Sequence, residues 1–264
     1  MTLRSVFFLW LAVLLLPISG QEIVMKDGKI HKAKEMRREG QFIFYKSLAP
    51  DANVTEGVVG IAQIQSIVFP ELEGFADARV ASASGHASRV LQITEPLLPG
   101  VRANADLPGS QWADLMRLHV PALAVAGTEE SFSALQKQWV STGDIDLDNA
   151  AKVLFLSQAD RDKARLAWKA LAKPGASSLG AGISWLALGQ EAFDAKDWGS
   201  AIRAFLSVEV FVPSQRVLHP RALLGAVQAM VGAGDEVQAQ RLLVELKAEY
   251  PETPEYQSAL ALLP

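Results

Sequence analysis

Cysteine is absent from the 264 residues, which excludes disulfides, thiolate metal sites, a cysteine nucleophile and a lipid-modified lipoprotein cysteine. Positive charge is in short supply: 25 Lys and Arg stand against 29 Asp and Glu, for a formal charge of −4. That balance argues against a dedicated nucleic-acid binder. Catalytic signatures are missing as well. The four histidines, His31, His86, His119 and His219, are scattered, and no His-x-x-x-His pair or Gly-x-Ser-x-Gly elbow occurs. Gly180-Ala181-Gly182 lacks the Gly-Lys-Ser/Thr ending of a phosphate loop. Asp144, Asp146 and Asp148 alternate like the start of a calcium loop, but Ala150 takes the next ligand position, so N-capping of the following helix explains them better. No catalysis, cofactor or metal is expected. With 50% hydrophobic and 20% charged residues the chain has material for one large domain or two modest ones.

Residues 1–20, MTLRSVFFLWLAVLLLPISG, set one basic residue, Arg4, before an apolar run from Val6 to Pro17 and small residues at Ser19 and Gly20. This is the pattern of a secretory signal peptide, and the run is short of the roughly 20 residues that span a bilayer. Cleavage after Gly20 is the expectation, with an uncleaved anchor as the alternative. No later segment is apolar enough to cross a membrane. An exported chain without cysteine fits the bacterial periplasm or an extracellular location.

Residues 21–70 change to short alternating runs: Glu22–Lys26, Lys29–Lys34, Gln41–Tyr45, Gly57–Ile61 and Ile64–Phe69. Asp27-Gly28 between the first two is a hairpin signal, because Gly accepts φ > 0 freely. Five short strands predict a small, bent, barrel-like β domain. The phrases VMKDGKIHKAKEMRREGQFIFYK and GVVGIAQIQSIVF resemble the small Sm-like barrel modules of bacterial exported proteins. Residues 22–46 carry seven Lys or Arg against four Asp or Glu. Lys26, Lys29, Lys32, Lys34, Arg37 and Arg38 form a candidate basic patch for an anionic envelope surface, lipid or glycan. Alternating lysines also suit a solvated strand face that protects sheet edges.

From Glu71 to Pro264 the period is helical, with a longer repeat beneath it. The unit 182–213, GISWLALGQEAFDAKDWGSAIRAFLSVEVFVP, has Trp185, Leu188 and Gly189 at offsets 4, 7 and 8, Ala201, Ile202 and Phe205 at 20, 21 and 24, and Pro213 at 32. It resembles the tetratricopeptide repeat (TPR), a pair of antiparallel helices. Gly189 and Ala201 are small where paired helices cross, and Phe205 fills the space between hairpins. Ala192 stands where the family has an aromatic residue, with Phe193 beside it. A second unit, 220–251, repeats the register with Ala239, Leu243 and Pro251. A weaker unit starts near Ile145 and ends at Pro174. Helices are expected to open at Trp112 and after Thr128, and an early pair turns at Gly85. The fold class is therefore mainly α: a TPR-like solenoid of five hairpins over residues 71–251, with a last helix from Pro254, preceded by the β domain and the signal peptide.

What the resemblance implies is binding. The family's groove-facing positions fall on Leu186, Gln190, Phe193 and Asp194, then Arg221, Leu224 and Gln228, which suit an extended peptide or partner helix. The aliphatic members fit contacts with the neighbouring hairpin equally well. The segment LLVELKAEYPETPEYQSAL (Leu242–Leu260) is similar to exported repeat proteins that organise envelope machinery. The expected function is a non-catalytic protein–protein interaction scaffold of the bacterial envelope, with a protein partner and no nucleic acid. The alternative is a glycan- or lipid-binding module in which the basic β domain attaches and the solenoid is a spacer.

Overall fold

The structure, a computed structural model, describes residues 20–48 and 54–263, so the predicted signal peptide lies, but for Gly20, outside the described residues. The chain divides into two compact units: one ends at Pro70 but also takes in Leu107–Gly109, and the other comprises Glu71–Asp106 and the residues from Ser110 onward. No helix among the described residues is long and apolar enough to cross a membrane.

The first unit is a five-stranded antiparallel sheet of β1 (Gln21–Met25), β2 (Ile30–Glu39), β3 (Phe42–Leu48), β4 (Val54–Gly60) and β5 (Ile64–Val68), in the order β4-β3-β2-β1-β5. Alternation selects one face for the core: Ile23, Met25, Ile43, Val59, Ile64 and Ile67 are buried together. The Asp27-Gly28 signal closes a four-residue connection, Lys26–Lys29, in which Gly28 has φ 85° and Met25 N donates to Lys29 O at 2.8 Å. The two-residue turn lies instead at Gly40-Gln41, where Glu39 pairs with Phe42 and Gly40 takes φ 57°.

The sheet is open, which corrects the barrel-like expectation. β4 and β5 are its two edges and form no ladder with each other. Part of β5's free edge is instead taken by the returning segment: Ile67 N donates to Pro108 O at 2.8 Å, and Leu107 joins the core. Gly109, at φ 85°, lies so close that a Cβ there would fall 2.2 Å from Ile67 O.

The second unit contains α1 (Phe75–Ala83), α2 (Ala87–Thr94), α3 (Leu98–Arg102), α4 (Trp112–Ala126), α5 (Glu129–Gln138), α6 (Ile145–Ala159), α7 (Arg161–Leu171), α8 (Leu179–Asp194), α9 (Trp198–Phe211), α10 (His219–Gly232), α11 (Glu236–Glu249) and α12 (Pro254–Leu260). Side-chain caps start many of them: Thr128, Asp144, Asp160, Ser178, Asp197, Asp235 and Thr253 each accept a backbone N–H of the first turn. Pro213 and Pro251 follow the ends of α9 and α11, where the missing N–H and the ring stop a helix.

From α6 onward the pairs α6/α7, α8/α9 and α10/α11 pack in chain order, and α12 packs on α10 and α11. Phe205 interlocks two of them. A Cβ on Gly189 of α8 would lie 2.7 Å from its ring, and one on Gly225 of α10 would lie 2.6 Å from it. Small residues thus admit a large ring where three helices meet.

The earlier helices do not extend this row, contrary to five hairpins end to end. α4 packs on α2, α6, α8 and the 216–218 turn before α10, and α1 also reaches that turn. The reason is composition: WADLMRLHVPALAVA is apolar nearly all round, and Trp112, Leu115, Met116, His119, Val120, Pro121, Ala122 and Leu123 are all buried. Such a helix needs cover on several sides. It obtains that cover by lying against the first helices of the later pairs, in one core that runs from Phe75 to Ala229.

Candidate functional site

The first helices of the repeat-like pairs carry the seven predicted groove residues, and the structure sorts them by polarity. Leu186 is 8% exposed, within the core that contains Met116 and Val120 of α4. Leu224 is 4% exposed, in a second core with Leu243, Leu246, Tyr250 and Tyr256. Phe193 turns toward the α8–α9 connection and packs edge-on against Trp198, ring centroids 5.3 Å apart. Gln228 is half-buried on α10.

Three polar members come together. Arg221 donates from Nη2 to Gln190 Oε1 at 3.1 Å, and Gln190 donates from Nε2 to Asp194 Oδ1 at 2.9 Å. Asp194 Oδ2 lies 3.8 Å from Arg161, so a polar row links α10, α8 and α7. Glu255, at the start of α12, sits within electrostatic reach of Arg221 and His86. Burial raises its pKa above the usual carboxylate value, and a backbone hydrogen bond followed by the Arg221 charge pulls it back only in part. A hollow of about 220 Å³ beside it is lined by His86, Ser88, Arg89, Gln92 and Glu255. The row can exchange hydrogen bonds and charge with a partner chain. It contains no nucleophile activated by a neighbouring base.

The six basic residues of the sheet are dispersed rather than pooled. Lys29 is 2.9 Å from Asp27, Lys32 is 3.6 Å from Glu22 and Arg37 is 2.8 Å from Glu39. Arg38 donates to Gly40 O at 3.2 Å. Lys32 and Lys34 are exposed on either side of buried Ala33, whereas Arg37 lies over the Phe44 ring at 5.2 Å on the face that also exposes Phe42 and Val58.

The three alternating aspartates also separate. Asp144 caps α6, accepting from Asp146 N at 3.0 Å and Leu147 N at 3.3 Å. Asp146 reaches α8 instead, accepting from Leu179 N at 2.9 Å and Gly180 N at 3.3 Å. Asp148 holds Thr142, whose N and Oγ1 both lie 2.9 Å from its Oδ1. Sequence reading missed a second hollow, lined by Gln136, Trp139, Asp148, Lys152, Phe155 and Leu156. Its one legible signal was Asp148 and Lys152 four residues apart.

No protein-family model, curated protein or solved structure matches this chain.

Proposed function

We propose that this chain is a non-catalytic interaction scaffold of the bacterial periplasm or envelope, built of TPR-like pairs and an Sm-like β module. The carrying observation is the row Arg221–Gln190–Asp194, displayed across successive helix pairs. Since Leu186 and Leu224 are buried, the surface left to a partner is polar. It suits a peptide or helix that offers amide and charged groups of its own. Phe205, held between Gly189 and Gly225, supports the reading of α8–α11 as repeated units, because it keys one pair to the next.

Crosslinked capture from the native envelope, with variants, tests this. Arg221→Glu and Gln190→Ala are expected to abolish recovery of a defined protein partner, while Lys32→Glu with Lys34→Glu leaves it intact. The opposite pattern favours the β module as the attachment site for glycan or lipid. That second reading draws on exposed Phe42 and Val58 beside Arg37, an apolar and basic face suited to an anionic amphiphile.

A further inference from the structure

A hollow of about 270 Å³ opens between α5 and α6, walled by Gln136, Trp139, Asp148, Lys152, Phe155 and Leu156. Its aromatic wall is anchored. The rings of Trp139 and Phe155 meet near right angles, at 75° with centroids 5.6 Å apart, and Trp139 tilts against Trp112 at 6.1 Å. Trp112 is 1% exposed and donates its indole N–H to Val140 O at 2.8 Å. A wall held from behind in this way needs no ordering when something binds in front of it.

The charges are arranged unusually. Asp148 and Lys152 stand one turn apart on α6, acid before base, the order that favours an ion pair along a helix. The pair is not made. Thr142 N and Oγ1 and the Ser141 hydroxyl all donate to the Asp148 carboxylate. Burial raises its pKa, but these donors outweigh burial and leave it below the usual carboxylate value, hence ionised. Lys152 is exposed and has no ion-pair partner among the described residues. The hollow therefore offers a fixed negative charge and a separate, uncommitted positive one on an otherwise apolar ground.

Three of the roughly four lone-pair sites of the Asp148 carboxylate are already used, so it contributes potential more than hydrogen-bond acceptance. A primary ammonium or a guanidinium needs acceptors for its N–H groups. A quaternary ammonium needs only negative potential and aromatic surface. At about 270 Å³ the space lies just below that of drug-sized ligand pockets, which limits the occupant to one small group.

We propose that this hollow binds a small zwitterion in which a trimethylammonium group is joined to a carboxylate or phosphate. The ammonium packs on Trp139 and Phe155 near Asp148, and the anion lies on the Lys152 ammonium. The source is either a free solute or a phospholipid headgroup. This site is independent of the row at Gln190 and Arg221, so it stands or falls separately from the scaffold reading.

Calorimetric titration of the full-length chain with glycine betaine, phosphocholine, choline and inorganic phosphate tests it, with indole fluorescence as a second readout. One saturable site for a zwitterion is expected, with choline or phosphate alone weaker by roughly tenfold or more. Lys152→Glu, at an exposed position that leaves the fold intact by circular dichroism, is expected to weaken the zwitterion by a similar factor while sparing choline. Equal binding of choline and zwitterion, equal binding of phosphate, or no saturation by either zwitterion overturns the proposal. So does indifference to Lys152→Glu. Capture by phosphatidylcholine vesicles, sensitive to Lys152→Glu and absent with choline-free vesicles, assigns the headgroup as the source. Binding of the free solutes alone assigns a soluble one.

Discussion

The Nε–H of Arg216 donates to the backbone carbonyl of Ala83 at 2.9 Å, although 133 residues separate them. The same guanidinium lies 3.0 Å from Glu249 and stacks over Tyr250 at 5.1 Å. One side chain thus joins the ends of α1 and α11 to the turn before α10, and supplies a cation to carbonyls at a helix C-terminus. Gly85 explains how the early helices come so near: a Cβ there would lie 2.5 Å from Pro220 and 2.9 Å from Tyr250.

Arg216→Ala is expected to destabilise the chain by about 1–2 kcal/mol in urea titration, a modest figure because the side chain is partly exposed. Arg216→Lys should recover less than half of that, since an ammonium lacks the fork that reaches two acceptors. A lysine variant as stable as the parent would mean that charge alone matters here.

Phe205 is the second test of packing. Phe205→Ala should cost about 3–5 kcal/mol, as expected for a large ring lost from a core. Gly225→Ala brings opposing effects: helix propensity improves by about 1 kcal/mol, whereas overpacking against the ring costs about 1–3 kcal/mol. Combining it with Phe205→Leu should relieve the clash, so the pair is expected to be strongly non-additive. Additivity within about 0.5 kcal/mol would place the ring elsewhere.

Asp146 lends its carboxylate to a helix 33 residues on, where Leu179 N is otherwise unsatisfied by an intrahelical acceptor. Asp146→Ala is expected to cost about 1–2 kcal/mol and Asp146→Asn roughly half as much, because the amide oxygen still accepts. Hydrogen exchange at Leu179 and Gly180 should accelerate in both. Unchanged protection at those amides would contradict a capping role.

Local chemistry was legible wherever it acts over short range. Thr128, Asp144 and Pro254 mark helix starts, Gly85 marks a turn, and the offsets of Gly189, Ala201 and Phe205 anticipate the α8/α9 crossing. What escaped was long-range partnership. Gly109 carries no periodic signal, yet it lies against Ile67 O, because its missing side chain lets the returning segment reach β5. Leu186 carries no mark to show whether its neighbour is solvent, a partner or α4; only the three-dimensional path of WADLMRLHVPALAVA decides it. Asp146 looked like a cap for its own helix because a hydrogen bond to another helix leaves no periodic trace.

A buried histidine and a half-buried glutamate should give the stability–pH curve opposing contributions. Burial lowers the His119 pKa from 6.5 to about 4, so the folded protein holds the ring neutral. The Thr94 hydroxyl donates to Val90 O at 2.8 Å, which leaves Thr94 Oγ1 to accept from His119 Nδ1–H, also at 2.8 Å. As pH falls from 6.5 to 4 the unfolded chain takes up this proton and the folded one does not, so stability is lost, by about 2–3 kcal/mol in all. Glu209 acts the other way. Burial, then the like charges of Glu245 and Glu249, raise its pKa from 4.5 to about 7, with Arg216 lowering it only in part. Between pH 4.5 and 7 the folded chain keeps a proton that the unfolded chain has released, so stability rises as pH falls. Solvent screening reduces that effect to about 1 kcal/mol. His119→Gln, which retains a donor for Thr94, should flatten the acid limb of the curve, and Glu209→Gln should raise stability at pH 8 while changing little at pH 4. Urea unfolding at half-unit pH steps reads both. An acid limb unchanged by His119→Gln would remove His119 from the account, and a Glu209→Gln variant no more stable than the parent at pH 8 would remove Glu209.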